Sequence, residues 1–272
     1  MSTPTMSLVP PAARSASAAQ GTGQVDEMMH VLRALIEDSI LSAPRSLQKL
    51  IGPSELGTPC DHCLAAKLAG WEARQDPAWL PFIGTCVHEH LERFFGSLAK
   101  AGVLESRQEA RVTVGEVAGT PITGSTDLWI PDIAGPGSGG MTVDWKIVGN
   151  AKLDKVKASQ HPGIQYEAQA HLYAKGWNDA GYPTRHVAVY FLPRNKFRIG
   201  DGWWWTDTYR PEIAQRALDR ADRITRTLHA LEDVSVDARD EWITGLARDP
   251  DCFSCSKYAD WPRAANLLDQ TL

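Results

Sequence analysis

Three short segments decide the fold of this chain: Gly124-Ser125-Thr126-Asp127, Val143-Asp144-Trp145-Lys146 and Gln169-Ala170-His171-Leu172-Tyr173. On an extended strand, residues two apart point to the same side. Asp144 and Lys146 are therefore expected to face one pocket, while Trp145 faces the opposite layer. In such a pocket a carboxylate can hold a divalent metal ion, and an ammonium group can hold or polarise a water molecule beside it.

A second carboxylate lies in an earlier strand-like run, which covers residues 121–130 and contains Asp127. If this strand pairs with the strand of Asp144, the two carboxylates meet. Two carboxylates, a lysine and a metal ion suit the in-line attack of water on a phosphodiester. An isolated Asp-x-Lys is more often a surface salt bridge, so the neighbouring motifs decide its meaning.

Two predicted helices flank these strands, and each carries polar residues four positions apart. Gly84, His88 and Glu92 share one helix face upstream, and Gln169 and Tyr173 share another downstream. An apolar stripe runs beside the first of these faces, so His88 could also be a core histidine with satisfied hydrogen bonds. Its place in an ordered series of motifs favours a functional role.

The series Gly-x3-His-x3-Glu, Gly-x2-Asp, Asp-x-Lys and Gln-x3-Tyr resembles the PD-(D/E)XK nuclease superfamily. More specifically, it resembles the RecB-like branch that includes AddB-type and CRISPR-adaptation exonucleases, over roughly residues 54–258. The resemblance implies an α/β fold with a restriction-endonuclease-like core, a central mixed sheet flanked by helices. It also implies a deoxyribonuclease that depends on Mg²⁺ or Mn²⁺, an exonuclease of DNA recombination, repair or replication.

The resemblance assigns the metal and catalytic residues by position. It implies that His88, Asp127 and Asp144 bind the metal ion, with the carbonyl of Ile147 as a further ligand. It implies that Lys146 orients or activates the attacking water.

The resemblance also assigns supporting residues. Gln169 and Tyr173 would support the site and contact DNA, and Glu92 matches a helix position that supports the site in this branch. A rival second carboxylate is Asp132, which follows a literal Pro-Asp pair. Asp127 is preferred because it stands on a strand, whereas Asp132 enters a Gly-rich stretch.

Two Cys-x2-Cys pairs lie near the two ends of the matched region, Cys60 with Cys63 and Cys252 with Cys255. Together they form a four-thiolate set that can hold a metal, while a redox dithiol is the rival interpretation of a single pair. The branches that this chain resembles carry an iron–sulfur cluster on one early and three late cysteines. This chain has two early and two late cysteines instead. A 4Fe-4S cluster, which the family context favours, and a structural Zn²⁺ both remain open. Cys86 is expected to be a buried core thiol.

Composition limits the function classes. The chain has 272 residues, 43% of them hydrophobic, and a net charge of −5, which argues against a non-specific nucleic-acid coat protein. It contains no apolar run long enough for a membrane span and no secretory signal, so a cytoplasmic location is expected. The expected partners are DNA ends or single strands, with a helicase or recombinase as a candidate protein partner. The alternative function is a catalytically weak DNA-binding subunit of a helicase or CRISPR-adaptation complex.

The predicted organisation is a disordered tail over residues 1–24 and one nuclease domain over residues 25–272, whose two ends the cysteine pairs join. An amphipathic helix is predicted over residues 25–41. Lys152, Lys155 and Lys157 follow the site and are candidates for phosphate contacts. The pattern predicts five strands and two later helices: strands 109–114, 122–130, 141–148, 185–192 and 203–207, and helices 163–180 and 211–231.

Overall fold

The computed structural model describes four ranges of the chain: residues 20–41, 51–74, 79–252 and 254–260. The chain divides into two compact units, Met1–Leu47 and Gln48–Leu272. The motifs of the site all lie in the second unit. The extension of the nuclease domain back to residue 25 stays a prediction.

In the first unit the structure describes one helix, α1 (Gln20–Leu41). The helix predicted from residue 25 is present, but residues 20–24, which were assigned to the disordered tail, are helical as well. A helix that has formed over an apolar segment extends into preceding residues at little cost, since nucleation is the expensive step. The rest of the predicted tail, residues 1–19, lies outside the described residues.

The second unit has seven helices and five strands in its described residues. In chain order they are α2 (Pro53–Leu56), α3 (Asp61–Leu68), α4 (Trp79–Lys100), β1 (Arg107–Val117), β2 (Thr120–Ile130), β3 (Gly140–Val148), α5 (Asn150–Ser159), α6 (Ile164–Asp179), β4 (Thr184–Pro193), β5 (Trp203–Thr208), α7 (Pro211–Glu232) and α8 (Val236–Gly245). Two short 3-10 helices lie at Ile199–Asp201, between β4 and β5, and at Cys255–Lys257, after α8. None of the helices in the described ranges has the length and apolar character needed to cross a membrane.

The five strands form one sheet in the order β1-β2-β3-β4-β5. Strands β3 and β4 run parallel, and the other neighbouring pairs are antiparallel. The parallel pair is joined by a crossover through α5 and α6, as parallel neighbours require. The predicted α/β class with a central mixed sheet flanked by helices is confirmed, and the arrangement is consistent with a restriction-endonuclease-like core.

Helices cover both faces of the sheet. On one face Trp145 of β3 stacks on Phe95 of α4, with 5.6 Å between ring centroids. On the other face Trp129 of β2 stacks on Trp177 of α6 at 4.5 Å. The prediction that Trp145 faces the layer opposite to Asp144 is therefore confirmed. A central strand covered on both faces is buried, which explains why β3 is almost continuously apolar around its single Asp and Lys.

Helix α2 packs closely on α6, and Gly57 just after α2 makes this approach possible. A Cβ atom on Gly57 would lie 2.6 Å from the Cβ of Ala168 and 2.8 Å from the backbone oxygen of Gln165. Gly57→Ala is therefore expected to lower the free energy of unfolding by about 1–3 kcal/mol, since a helix backbone must move to admit the methyl group. Urea denaturation followed by circular dichroism measures this.

The matched control is Gly84→Ala within α4. A Cβ atom on Gly84 has no neighbour within 4 Å among the described residues. Alanine is a better helix former than glycine, so this variant should gain about 0.5–1 kcal/mol. Equal urea midpoints for the two variants would contradict the close packing of α2 on α6.

Candidate active site

The site opens where β2 and β3 diverge. These strands pair only over residues 128–130 and 141–143. One further step of the same register would place Asp127 opposite Asp144. There the ladder stops, and Oδ2 of Asp127 accepts the backbone N–H of Trp145 at 2.7 Å. A carboxylate thus replaces a backbone carbonyl as the acceptor, so two acidic side chains stand side by side at the divergence.

Asp144 is held by two neighbours. Nζ of Lys146 lies 2.6 Å from Oδ2 of Asp144, and both side chains are largely buried. On the α6 side, Nε2 of Gln169 donates to Oδ1 of Asp144 at 2.9 Å. The predicted pairing of Asp144 with Lys146 on one side of β3 is therefore present, and Gln169 fixes the orientation of the carboxylate.

His88 reaches the same opening from α4. Its Nδ1 lies 3.3 Å from Oδ1 of Asp127. Glu109 of β1 completes a group with them, because one ligand atom from each of the three residues lies within 4.8 Å of the others. One imidazole nitrogen and several carboxylate oxygens form a donor set that suits Mg²⁺ or Mn²⁺.

Glu109 was not among the ligands predicted from the sequence. This residue has a φ of 45°, in the left-handed region that side chains other than glycine rarely adopt. Strained backbone conformations of this kind concentrate at functional sites. The sequence holds no signal for it, since a glutamate near the start of a predicted strand looks like any other exposed strand residue.

The two carboxyl groups differ in their electrostatics. Burial, together with the nearby Asp127, raises the pKa of Asp144 to about 6, although Lys146 opposes this shift. Burial also raises the pKa of Asp127, but His88 and Lys146 outweigh it and hold that pKa below its ordinary value. For Lys146, burial lowers the pKa, but the two carboxylates outweigh burial and raise it. Lys146 is therefore a cation that can donate hydrogen bonds inside the site.

Two further residues line the site beside Lys146. Nζ of Lys146 lies 5.1 Å from the ring centroid of Tyr166, and Nζ of Lys152 lies 5.0 Å from the same ring. These are cation–π distances. Tyr166 precedes Gln169 by three positions on α6, which places both on one helix face. That spacing was the signal by which the sequence could have identified Tyr166.

Some predicted site residues lie elsewhere. Tyr173 is buried in the core, and its hydroxyl lies 3.1 Å from where a Cβ on Gly124 would stand. This position suits a supporting residue, and the predicted contact of Tyr173 with DNA stays a prediction. Glu92 is exposed on α4, one turn after His88. Its supporting role stays a prediction, as does the part of the Ile147 carbonyl.

The rival carboxylate Asp132 has a different task. Its Oδ1 accepts the backbone N–H of Gly139 at 3.1 Å and so closes the loop between β2 and β3. The structure brings Asp127, and not Asp132, next to His88. Asp127 as the second carboxylate of the site stays a prediction, and its position beside His88 agrees with it.

A second group of possible ligands, Glu167, His171 and Asp207, does not form a cation site. Nδ1 of His171 accepts the backbone N–H of Arg210 at 3.2 Å, so Nε2 carries the hydrogen of the neutral ring. The Arg210 guanidinium lies 2.8 Å from Glu167 and 2.6 Å from Asp207. The arginine therefore already occupies the place between the carboxylates.

No protein-family model matches the chain, and no curated protein matches it. Seven chains of solved structures do match. An alkaline exonuclease from Laribacter hongkongensis is 11% identical, with a TM-score of 0.48, and the match covers 71% of this chain and 95% of that one. A protein named SSO0001 is 14% identical, with a TM-score of 0.47, over 71% of this chain and 86% of that one. The function is therefore inferred from the geometry of the site itself.

The four cysteines of the two Cys-x2-Cys pairs lie together. Sγ of Cys255 is 3.3 Å from Sγ of Cys60 and 3.3 Å from that of Cys63, and Sγ of Cys63 is 3.5 Å from that of Cys252. The cysteines are not joined by disulfide bonds. The predicted meeting of the two pairs is present in the structure. Cys86, predicted to be buried, is exposed, because it lies on the solvent side of α4.

Proposed function

We propose that this protein is a metal-dependent DNA exonuclease of the RecB-like type, active in DNA recombination, repair or replication. The observation that carries the proposal is the meeting of His88, Asp127, Asp144 and Lys146 at the divergence of β2 and β3. These residues come from three different elements. A protein that only bound DNA would have no need of two buried carboxylates beside a buried lysine.

The proposed metal site consists of His88, Glu109, Asp127 and Asp144. A divalent ion held there supplies polarisation of the phosphate and activation of water. The chain orients its ligands before an ion binds, because the backbone N–H of Trp145 donates to Oδ2 of Asp127. The carboxylates of this site repel the phosphates of DNA unless cations offset the local negative charge.

Lys146 is the proposed residue at the attacking water. Its ammonium group is held by Asp144, so it can donate a hydrogen bond to the water without needing to reorganise. Gln169 holds Asp144 in turn, through Nε2. The lysine positions the nucleophile and stabilises negative charge that develops on the phosphate in the transition state.

An exonuclease is expected to consume linear DNA and to spare covalently closed circles. End-labelled linear DNA, nicked circles and closed circles are incubated with Mg²⁺, with Mn²⁺ or with EDTA, and the products are resolved on gels. Degradation of the linear substrate with either metal, and none with EDTA, is the expected result. Rapid cutting of closed circles would indicate an endonuclease, and binding without any cleavage would indicate a DNA-binding subunit.

Among the three lysines that follow the site, Lys152 is the proposed phosphate contact. Lys152 has no ion-pair partner in the described residues, whereas Lys155 lies 2.9 Å from Asp251 and Lys157 donates to the backbone oxygen of Asp201 at 2.6 Å. Only the Lys152 ammonium shares the Tyr166 ring with Lys146. Its charge is therefore free to meet a phosphate next to the scissile bond.

Lys152→Ala is expected to lower kcat/KM for DNA cleavage by about 10–100-fold, because a phosphate contact near the chemistry is lost. Lys155→Ala, on the same helix, should stay near wild type, since that side chain is exposed and paired outside the site. Initial rates at several DNA concentrations measure both. Equal losses in the two variants would assign α5 a diffuse electrostatic role instead.

A further inference from the structure

We propose that the four clustered cysteines bind a single zinc ion, and that the chain does not carry the four-iron cluster of the families it resembles. The proposal rests on the positions of Cys60, Cys63, Cys252 and Cys255, and not on the proposed nuclease activity. The centre is a structural tetrathiolate site, closed to substrate.

The separations of the sulfurs decide between the two centres. In a 4Fe-4S centre each thiolate binds a different iron atom, so the four sulfurs surround an eight-atom core. Sulfurs only 3.3–3.5 Å apart leave no room for such a core. Around one zinc ion with Zn–S bonds of about 2.3 Å, tetrahedral sulfurs stand about 3.8 Å apart. The three separations Cys60–Cys255, Cys63–Cys255 and Cys63–Cys252 lie about 0.3–0.5 Å below this value.

The local backbone near both cysteine pairs suits a structural zinc site. Cys60 is the N-cap of α3 and Cys63 lies in its first turn, so the two sulfurs lie on one side of the helix. In the second pair, Cys252 ends a turn in which its N–H donates to the carbonyl of Asp249 at 3.0 Å, and Cys255 begins the 3-10 helix Cys255–Lys257. Two Cys-x2-Cys pairs are the usual ligand set of a structural four-cysteine zinc site.

His62 is a possible rival for Cys252 as fourth ligand, since its ring lies within 4.8 Å of the other three sulfurs. It is adjacent to Cys63 on α3, and neighbouring helical side chains diverge. Nε2 of His62 lies 2.7 Å from Oδ2 of Asp260, and Nδ1 lies 3.9 Å from the sulfur of Cys63. His62 thus connects the thiolates to a carboxylate in the way that outer-shell residues do.

The experiment is metal analysis of the full-length protein purified without oxygen from cells grown with added iron and zinc. The expected result is colourless protein with about one zinc per chain, retained on dialysis against EDTA, and no acid-labile sulfide. Brown protein with about four irons and four sulfides per chain would overturn the proposal. So would metal-free protein in which thiol titration finds two disulfides.

Two variants identify the ligand set. Cys252→Ser should lose zinc, whereas Cys86→Ser should keep it, because Cys86 is exposed. Replacement of zinc by Co²⁺ in the wild-type and His62→Asn proteins adds a spectroscopic readout. Both should show the same sulfur-to-cobalt charge-transfer absorption of a tetrathiolate site. Full zinc retention by Cys252→Ser, or a changed cobalt spectrum in His62→Asn, would exclude the four-cysteine set.

Discussion

Lys146→Ala is expected to lower kcat for DNA cleavage by about 10²–10⁴-fold, the range typical of a positioned proton-transfer or hydrogen-bonding group. Affinity for DNA and for Mn²⁺ should be nearly unchanged, because the lysine acts at the water and not at the ion. Its removal leaves Asp144 with the hydrogen bond from Gln169. Single-turnover cleavage, with filter binding to DNA in Ca²⁺, separates the catalytic step from binding.

Lys146→Arg provides the control for charge alone. A planar guanidinium cannot replace a compact ammonium that lies 2.6 Å from Asp144 in a buried site, so this variant should also fail. Circular dichroism should report a folded protein in both cases. Wild-type cleavage by the arginine variant would show that positive charge is sufficient at this position, and the role at the water would be withdrawn.

Asp127→Asn is expected to lower the rate of DNA cleavage by more than about 100-fold, because it removes a charged metal ligand. Loss of a residue that only supports a metal ligand typically costs about 10–100-fold. The amide oxygen can still accept the N–H of Trp145, so the divergence of the strands should be preserved. The required Mn²⁺ concentration should rise. Isothermal titration with Mn²⁺, together with initial rates over a range of metal concentrations, measures both effects.

The matched control is Asp132→Asn, the same change at the rival carboxylate. Asp132 closes a loop by accepting the N–H of Gly139, and an asparagine oxygen can do the same. Cleavage and metal affinity should therefore stay near those of the wild type. If Asp132→Asn lost activity while Asp127→Asn retained it, the second carboxylate would have been assigned to the wrong residue.

The centre of the fold was accessible from the sequence because its signals are periodic. A buried strand with Asp144 and Lys146 two apart fixes their common side, and the four-residue spacing of Gln169 and Tyr173 predicts a helix. Spacing does not tell which side of a helix meets the solvent, and for that reason the prediction that Cys86 is buried was wrong.

The parts that the sequence did not predict have physical causes. Helix α5 buries only Leu153 and Val156, and α8 buries only Ile243 among their described residues. Too few apolar residues remain in such helices to show a period. The backbone conformation of Glu109 is imposed by tertiary contacts, which local sequence does not encode.

The meeting of Cys60 with Cys255 has a consequence for chain connectivity. An early and a late segment of the second unit meet, since the sulfur atoms of Cys60 and Cys255 are 3.3 Å apart, as in domains that tolerate circular permutation. A linker that joins these two segments, with new termini in the exposed loop at residues 132–137, should give a permuted chain that keeps the sheet order.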